Sequence, residues 1–334
     1  MYSSYSPLQQ SQLAAQGYYD TQSTYLLVYA PGRNTALRAT LADQLHRKFR
    51  LADTLGSALT EGVDGVLLVS EDVECMSTAL MCFAKALQDG ADYAVCNAVF
   101  GFGGATALYQ SRAHLAQNRC ALVSRPLLER CRAAAKDPEN VTELLALAAQ
   151  FCAHPTRIPQ ALLHYERDIC AEDAFSATGK RAFLMSHVLD MTGAPIVLVS
   201  AVPVLRSMGY EVVVLGPSDG GALQLFVDAG AAVITRPGIR ATPNLWGLAL
   251  CTDLVLVNTV VMARTVRALS GTAVPVLWWL HDAFAGYPHI AHQIPTKLAE
   301  NVRLYSVGHH AANAMHAVRP DFQIGQLIYG LPDY

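Results

Sequence analysis

The chain has 334 residues, 52% of them hydrophobic and 15% charged, with a formal net charge of -3 when histidine is neutral. That length suffices for two domains of ordinary size, and that apolar share predicts sizeable buried cores rather than a disordered chain. No basic excess points to a nucleic-acid partner.

Cysteines stand at 75, 82, 96, 120, 131, 152, 170 and 251, with no CxxC pair among them. Most lie in apolar stretches, which predicts buried free thiols in a reducing compartment rather than a disulfide framework or a metal centre. Residues 1–22 are polar, rich in Tyr, Ser and Gln, and read as a disordered lead without a signal peptide. The apolar runs break at Pro, Ser or a charge well short of about 20 residues, so no transmembrane segment is expected. The expected location is the cytoplasm, with the inner membrane face as a peripheral site.

Tyr25–Ala30 predicts a short strand ended by Pro31-Gly32, and Thr35–Ala58 a helix. Gly65–Ser70 is a compact apolar run and predicts a buried strand, followed by the acidic tip Glu71-Asp72-Val73-Glu74. Helix is predicted over Ser77–Leu87, strand over Tyr93–Phe100, a loop over Gly101–Thr106, helices over Arg125–Ala134 and Asn140–Cys152, and strand over Arg157–Tyr165. Ile169–Gly179 has mixed polarity and no period, and marks the boundary between a domain at 23–170 and one at 180–334.

The second part has a regular beat. Strands are predicted at Arg181–Met185, Glu211–Leu215, Ala232–Thr235, Asp253–Asn258, Val274–Leu280, Val302–Ser306 and Gln323–Ile328, with helices between most of them. The expected class is therefore α/β, with a Rossmann-like parallel sheet in the second domain and ligands at the carboxyl ends of its strands. Ala194–Met208 is strand-like by propensity. Pro195 suits a first helical turn, however, and Gly209 suits a C-cap, so helix is preferred, with a local kink at Pro203.

Several residues fall where such a sheet places ligands. Ser186, His187 and Gly193 lie in the loop before that helix, where free backbone donors could hold a phosphate or simply make a turn. Gly220 lies in the loop after the second strand, which could face a ligand or merely turn. Asn258-Thr259 could meet a polar ligand or cap the next helix. His281 and Asp282 follow an aromatic strand; a histidine there could move a proton near neutral pH or satisfy a loop carbonyl.

The stretches SHVLDMTGAP, GYEVVVLGPSDGG, DLVLVNTV, VPVLWWLHD and LIYGLPDY, in that order, resemble the N-terminal half of two-Rossmann family 4 glycosyltransferases over residues 180–334. The resemblance implies sugar transfer from a nucleotide diphosphate sugar to a glycan acceptor, with retention and without a metal, in polysaccharide or glycoprotein assembly. It puts Gly193 near the donor diphosphate and His281 on the acceptor side near the sugar. The nucleoside-binding half expected of that family would follow residue 334, so a protein partner supplying it is a further expectation.

In the first domain, Glu71, Asp72 and Glu74 could bind a divalent ion or serve as acids at a helix start. YAPGRN, LLVSEDVE, CALVSRPLLERC and RIPQALLHYERD resemble, diffusely, family 2 glycosyltransferases over residues 25–168. That resemblance implies Asp72 as the ligand of Mn2+ or Mg2+ and puts His164 and Glu166 near the donor. Ser70 stands where an acidic or amide residue is usual in that family. The alternative to an enzyme is a non-catalytic scaffold or binding protein built from two transferase-like domains. An unrelated nucleotide-binding oxidoreductase is the weaker second alternative, because no GxGxxG follows a strand with an acidic residue about 20 positions on.

Overall fold

The structure is a computed structural model, and it describes residues 18–32, 34–56, 59, 62–101, 105–109, 119–176, 179–239 and 246–329. The chain is α/β throughout and divides into two compact units, Met1–Ala107 with His114–Asp168, and Leu108–Ala113 with Ile169–Tyr334.

In the first unit the strands are β1 (Leu26–Tyr29), β2 (Phe49–Ala52), β3 (Gly65–Val69), β4 (Glu74–Cys75), β5 (Tyr93–Phe100), β7 (Cys120–Ser124) and β8 (Thr156–Tyr165). A short strand β6 (Thr106–Tyr109) straddles the division. The strand order is β2-β1-β3-β7-β5-β8, with β4 on β8. β7 runs antiparallel to β3 and β5, and β4 antiparallel to β8; the other pairings are parallel. The helices are α1 (Thr35–Leu41), α2 (Ala79–Gln88), α3 (Arg125–Ala134) and α4 (Val141–Phe151). α3 and α4 pack on each other and on β3 and β7, around Leu68, Tyr93, Leu128 and Leu144.

Two helix starts were legible because their caps are local. The Ser124 hydroxyl accepts from Leu127 N with Pro126 in the first turn, and Asn140 accepts from Glu143 N. The helix expected over Thr35–Ala58 is corrected: it ends at Leu41, and Phe49–Ala52 forms β2 alongside β1. Gln44 explains the break. Its buried amide donates to the Met76 carbonyl at 2.9 Å and its oxygen accepts from Leu80 N at 3.1 Å, which pulls the chain out of helical register. Propensity loses to tertiary pairing here. Pro159 lies within β8 at a bulge against β5, where buried Asn97 donates to the Pro159 carbonyl at 2.7 Å.

In the second unit α5 (Ala171–Ala174) precedes β9 (Lys180–Met185), α6 (Gly193–Ser207), β10 (Tyr210–Gly216), α7 (Leu223–Asp228), β11 (Ala232–Thr235) and α8 (Trp246–Leu250). Then come β12 (Leu254–Asn258), α9 (Ala263–Leu269), β13 (Val276–Leu280), β14 (Val302–Ser306), α10 (His309–His316) and β15 (Ile324–Gln326). The order β15-β14-β13-β12-β9-β10-β11 is parallel throughout. Ala194–Met208 resolves as helix despite its β-branched residues. One face carrying Pro195, Val197, Leu198, Val202 and Leu205 is buried, and the helix packs on β10 and β12. That burial outweighs propensity.

The chain starts this sheet at β9 and builds outward on one side through β10 and β11. It then returns to the other side of β9 with β12. The order therefore reverses between β9 and β12, and a crevice is expected where the two following loops part.

A candidate ligand crevice in the second unit

That reversal point gathers most of the polar residues singled out from the sequence. Ser186 and His187 follow β9, Asn258 ends β12, and His281 and Asp282 follow β13. The side chains divide between holding the loops and facing one another. Ser186 is fully buried and its hydroxyl donates to the Val188 carbonyl at 2.6 Å, so it shapes the loop. Asn258 donates to the Ala194 carbonyl at 3.0 Å, tying the end of β12 to the first turn of α6, while its Oδ1 is buried without a protein partner. The Asp282 carboxylate accepts from Val260 N at 2.7 Å and holds the turn after β12.

Electrostatics bind the group together. Burial, and then the nearby His187, push His281 down to about 4, so its imidazole is neutral at pH 7. Its ring lies 4.7 Å from that of Trp279, and its Nε2 is buried without a protein partner. Burial raises Asp282 above the ordinary carboxylate value, against the Val260 amide and His187, which lower it. Tyr287 is fully buried with its hydroxyl unpartnered, and burial followed by the charge of Asp282 raises its pKa. Ser306, at the end of β14, also keeps a buried hydroxyl without a partner. Buried polar atoms without partners cost about 1–3 kcal/mol each. Four of them stand at or near the strand ends, and a fifth, the Thr265 hydroxyl, lies in α9. Tyr287 escaped the sequence reading; its only signal was an aromatic residue in the Gly-Tyr-Pro stretch soon after His281-Asp282.

The two glycines differ. A Cβ at Gly193, the first residue of α6, would meet nothing within 4 Å, so the backbone is open to close approach there. At Gly220 a Cβ would lie 2.3 Å from the Leu189 carbonyl oxygen. Gly220 is thus demanded by packing of its loop against the β9–α6 loop, and Ala222 N donates to the same carbonyl at 2.8 Å. A hollow of about 720 Å³ at the β14–β15 edge, lined by Lys297, Glu300, Arg303, Tyr305 and Asp321 among others, includes none of these residues. The reversal point is the stronger candidate because buried polar atoms of Asn258 and His281 lack protein partners near it, whereas that hollow is an open groove along an edge.

In the first unit the acidic tip and the HYERD stretch do come together, around a hollow of about 260 Å³ lined by Glu71, Asp72, Glu74, His164, Glu166 and Arg167. All of these but Glu166 are engaged in ion pairs or hydrogen bonds. Asp72 accepts from Thr35 N at 3.0 Å, Ala36 N at 3.1 Å and Leu37 N at 3.1 Å, so it neutralises the start of α1. Glu71 pairs with Arg167 at 2.6 Å and Glu74 with His164 at 2.7 Å. Burial alone would lower the pKa of His164. The Gly101 carbonyl on Nε2 and Glu74 on Nδ1 overcome this and raise it, which favours the imidazolium. Among the described residues no group of three or more His, Cys, Asp or Glu is placed to hold an ion. As arranged, these residues do not offer Mn2+ or Mg2+ its ligands.

If Asp72 chiefly caps α1, Asp72→Ala should cost the first unit about 1–2 kcal/mol in urea denaturation followed by circular dichroism. Asp72→Asn, which keeps an acceptor, should cost less. Equal losses in the two variants would contradict the capping role.

Residues 178–316 match the sequence profile of Glycosyl-transferase family 4. The chain therefore contains a glycosyltransferase family 4 domain, and it coincides with most of the second unit. No curated protein and no solved structure matches the chain. Among the described residues no helix is long and apolar enough to cross a membrane.

Proposed function

We propose that the second unit binds the diphosphate of a nucleotide sugar at the start of α6, with the acceptor hydroxyl of a glycan near His281. The observation that carries this reading is the reversal of strand order between β9 and β12, with the polar residues that end or follow β9, β12 and β13. Open backbone at Gly193 faces the start of a helix, and neutral His281 stands beside His187 and Asp282. The family 4 domain over residues 178–316 supports the same substrate class.

On this reading the backbone amides at the start of α6 stabilise the departing diphosphate, and the crevice orients the two sugars. A neutral imidazole can take or share the proton of an acceptor hydroxyl. The Nε2 atom of His281 is sealed from solvent in this conformation, so ligand entry must displace its cover. Polysaccharide or glycoprotein assembly in the cytoplasm, at the inner membrane face if peripheral, is the setting proposed. None of the eight cysteines forms a disulfide among the described residues, which suits a reducing compartment.

Calorimetry with UDP, GDP, dTDP and their sugar conjugates, with and without Mn2+, tests the reading. At least one donor should bind without metal, and Gly193→Val should weaken it tenfold or more while leaving thermal stability near wild type. Unchanged affinity in Gly193→Val would remove the diphosphate from the start of α6. The engaged acidic groups of the first unit favour a second reading for that unit alone, as a scaffold or binding module rather than a catalyst. Binding of every nucleotide that is insensitive to Asp72→Ala would agree with it.

A further inference from the structure

Thr259 is, among the described residues, the single non-glycine with positive φ, at φ 73° and ψ 160°. Glycine enters that region freely, and a β-branched residue enters it only under strain. Its surroundings over-determine the conformation. Thr259 N donates to the Trp279 carbonyl at 2.8 Å, its own carbonyl accepts from Trp278 Nε1 at 2.8 Å, and the next amide, Val260 N, is held by Asp282 at 2.7 Å. Glycine would adopt this backbone without strain, so the threonine side chain calls for a separate reason.

Packing alone does not supply that reason, because the side chain carries a hydroxyl with a definite partner. Thr259 stands at the start of the 3-10 turn Val260–Met262, where threonine commonly caps, yet its hydroxyl makes no capping bond. Oγ1 lies instead 3.2 Å from Nδ1 of His187, and Thr259 is 1% exposed. The hydroxyl thus reaches from the end of β12 to the loop after β9, across the point where the sheet order reverses.

We infer that Thr259 is a positioning residue for His187. Its strained backbone aims Oγ1 at Nδ1, and so fixes the rotation of the ring and gives that nitrogen a hydroxyl partner in either tautomer. The inference rests on the crevice being the nucleotide-sugar site, but the ring itself can be read without substrate.

The test uses the full chain with 15N-labelled histidine, the His187 signals being assigned by their loss in His187→Gln. Wild type and Thr259→Ser should share one pair of ring 15N shifts as the His187 signature, whereas Thr259→Val and Thr259→Gly, which lack the hydroxyl, should show a shifted or mixed one. Thr259→Gly should melt no lower than wild type, since it relieves the backbone. Its affinity for the nucleotide diphosphate bound by wild type should nevertheless fall at least fivefold, as in Thr259→Val, with Thr259→Ser close to wild type. That split between stability and affinity separates positioning from a purely structural role. An unchanged His187 signature in both Thr259→Val and Thr259→Gly overturns the inference, and so does full nucleotide affinity in variants whose signature has shifted. If wild type binds no nucleotide, the functional reading fails, and the His187 signature alone decides for or against Thr259.

Discussion

Acidification from pH 7 to pH 4 should withdraw up to about 3 kcal/mol of stability from the second unit through His281 alone, and His281→Gln should abolish that share. The residue is half-buried, and that burial, with His187 adding to it, holds its pKa at about 4 against 6.5 in an unfolded chain. Between those values the unfolded state binds a proton that the folded state refuses. Stability therefore rises with pH across the window and is lost as pH falls through it. A difference of about 2.5 units corresponds to about 3 kcal/mol at 1.36 kcal/mol per unit. Asp282 works in the opposite sense. Its folded pKa is raised, so its unfavourable contribution disappears as acid protonates it in the folded state. Asp282→Asn should therefore steepen the acid loss.

The measurement is urea denaturation followed by tryptophan fluorescence, because all three tryptophans, Trp246, Trp278 and Trp279, lie in the second unit. A whole-chain signal would mix in the first unit, where His164 has the opposite sign. Its raised pKa gives stability that is full below the unfolded value and lost as pH rises through the folded one. A fluorescence midpoint independent of pH between 7 and 4 in Asp282→Asn would mean that His281 is not buried neutral.

Gly220→Ala should cost about 1–3 kcal/mol, the range expected for forcing atoms into a filled space, and toward its upper end. The new methyl would lie 2.3 Å from the Leu189 carbonyl oxygen, 2.5 Å from its carbon and 3.0 Å from Asp190 N. These are backbone atoms, which no rotamer change can move aside. The two loops must part, which breaks the bond from Ala222 N to that carbonyl. Two other glycines serve as controls. Gly221→Ala meets the side chain of Met191, which is 62% exposed and can swing away, so its cost should be smaller. Gly193→Ala meets nothing and should be near neutral in stability. Equal melting of Gly220→Ala and wild type would show that the loops do not pack as described.

The alternating strands of the second unit could be read directly because a parallel sheet covered by helices needs short, continuous apolar runs. LVLVN and VLWWL carry that signal unaided. The same logic placed His281, Asp282 and Asn258 at strand ends. β2 stayed hidden because FRLA is half-buried along its length and its helix-like surroundings mask it; only pairing with β1 makes it a strand. Ser186, Gly220 and Asp72 were chosen by residue type and position, and type cannot say which partner a group finds. Ser186 found the Val188 carbonyl, Gly220 the backbone of Leu189, and Asp72 three amides of a helix far back in the sequence.

Local order along the chain thus dictated the elements, since burial pattern, caps and turn residues act over a few positions. The adjacency of β9 and β12, and with it the crevice and the meeting of Thr259 with His187, came only from the folded sheet. Those residues are 72 positions apart in sequence, and no local preference can encode their contact. Strand order is set by how the connecting helices cover both faces of the sheet at once, a property of the packed whole.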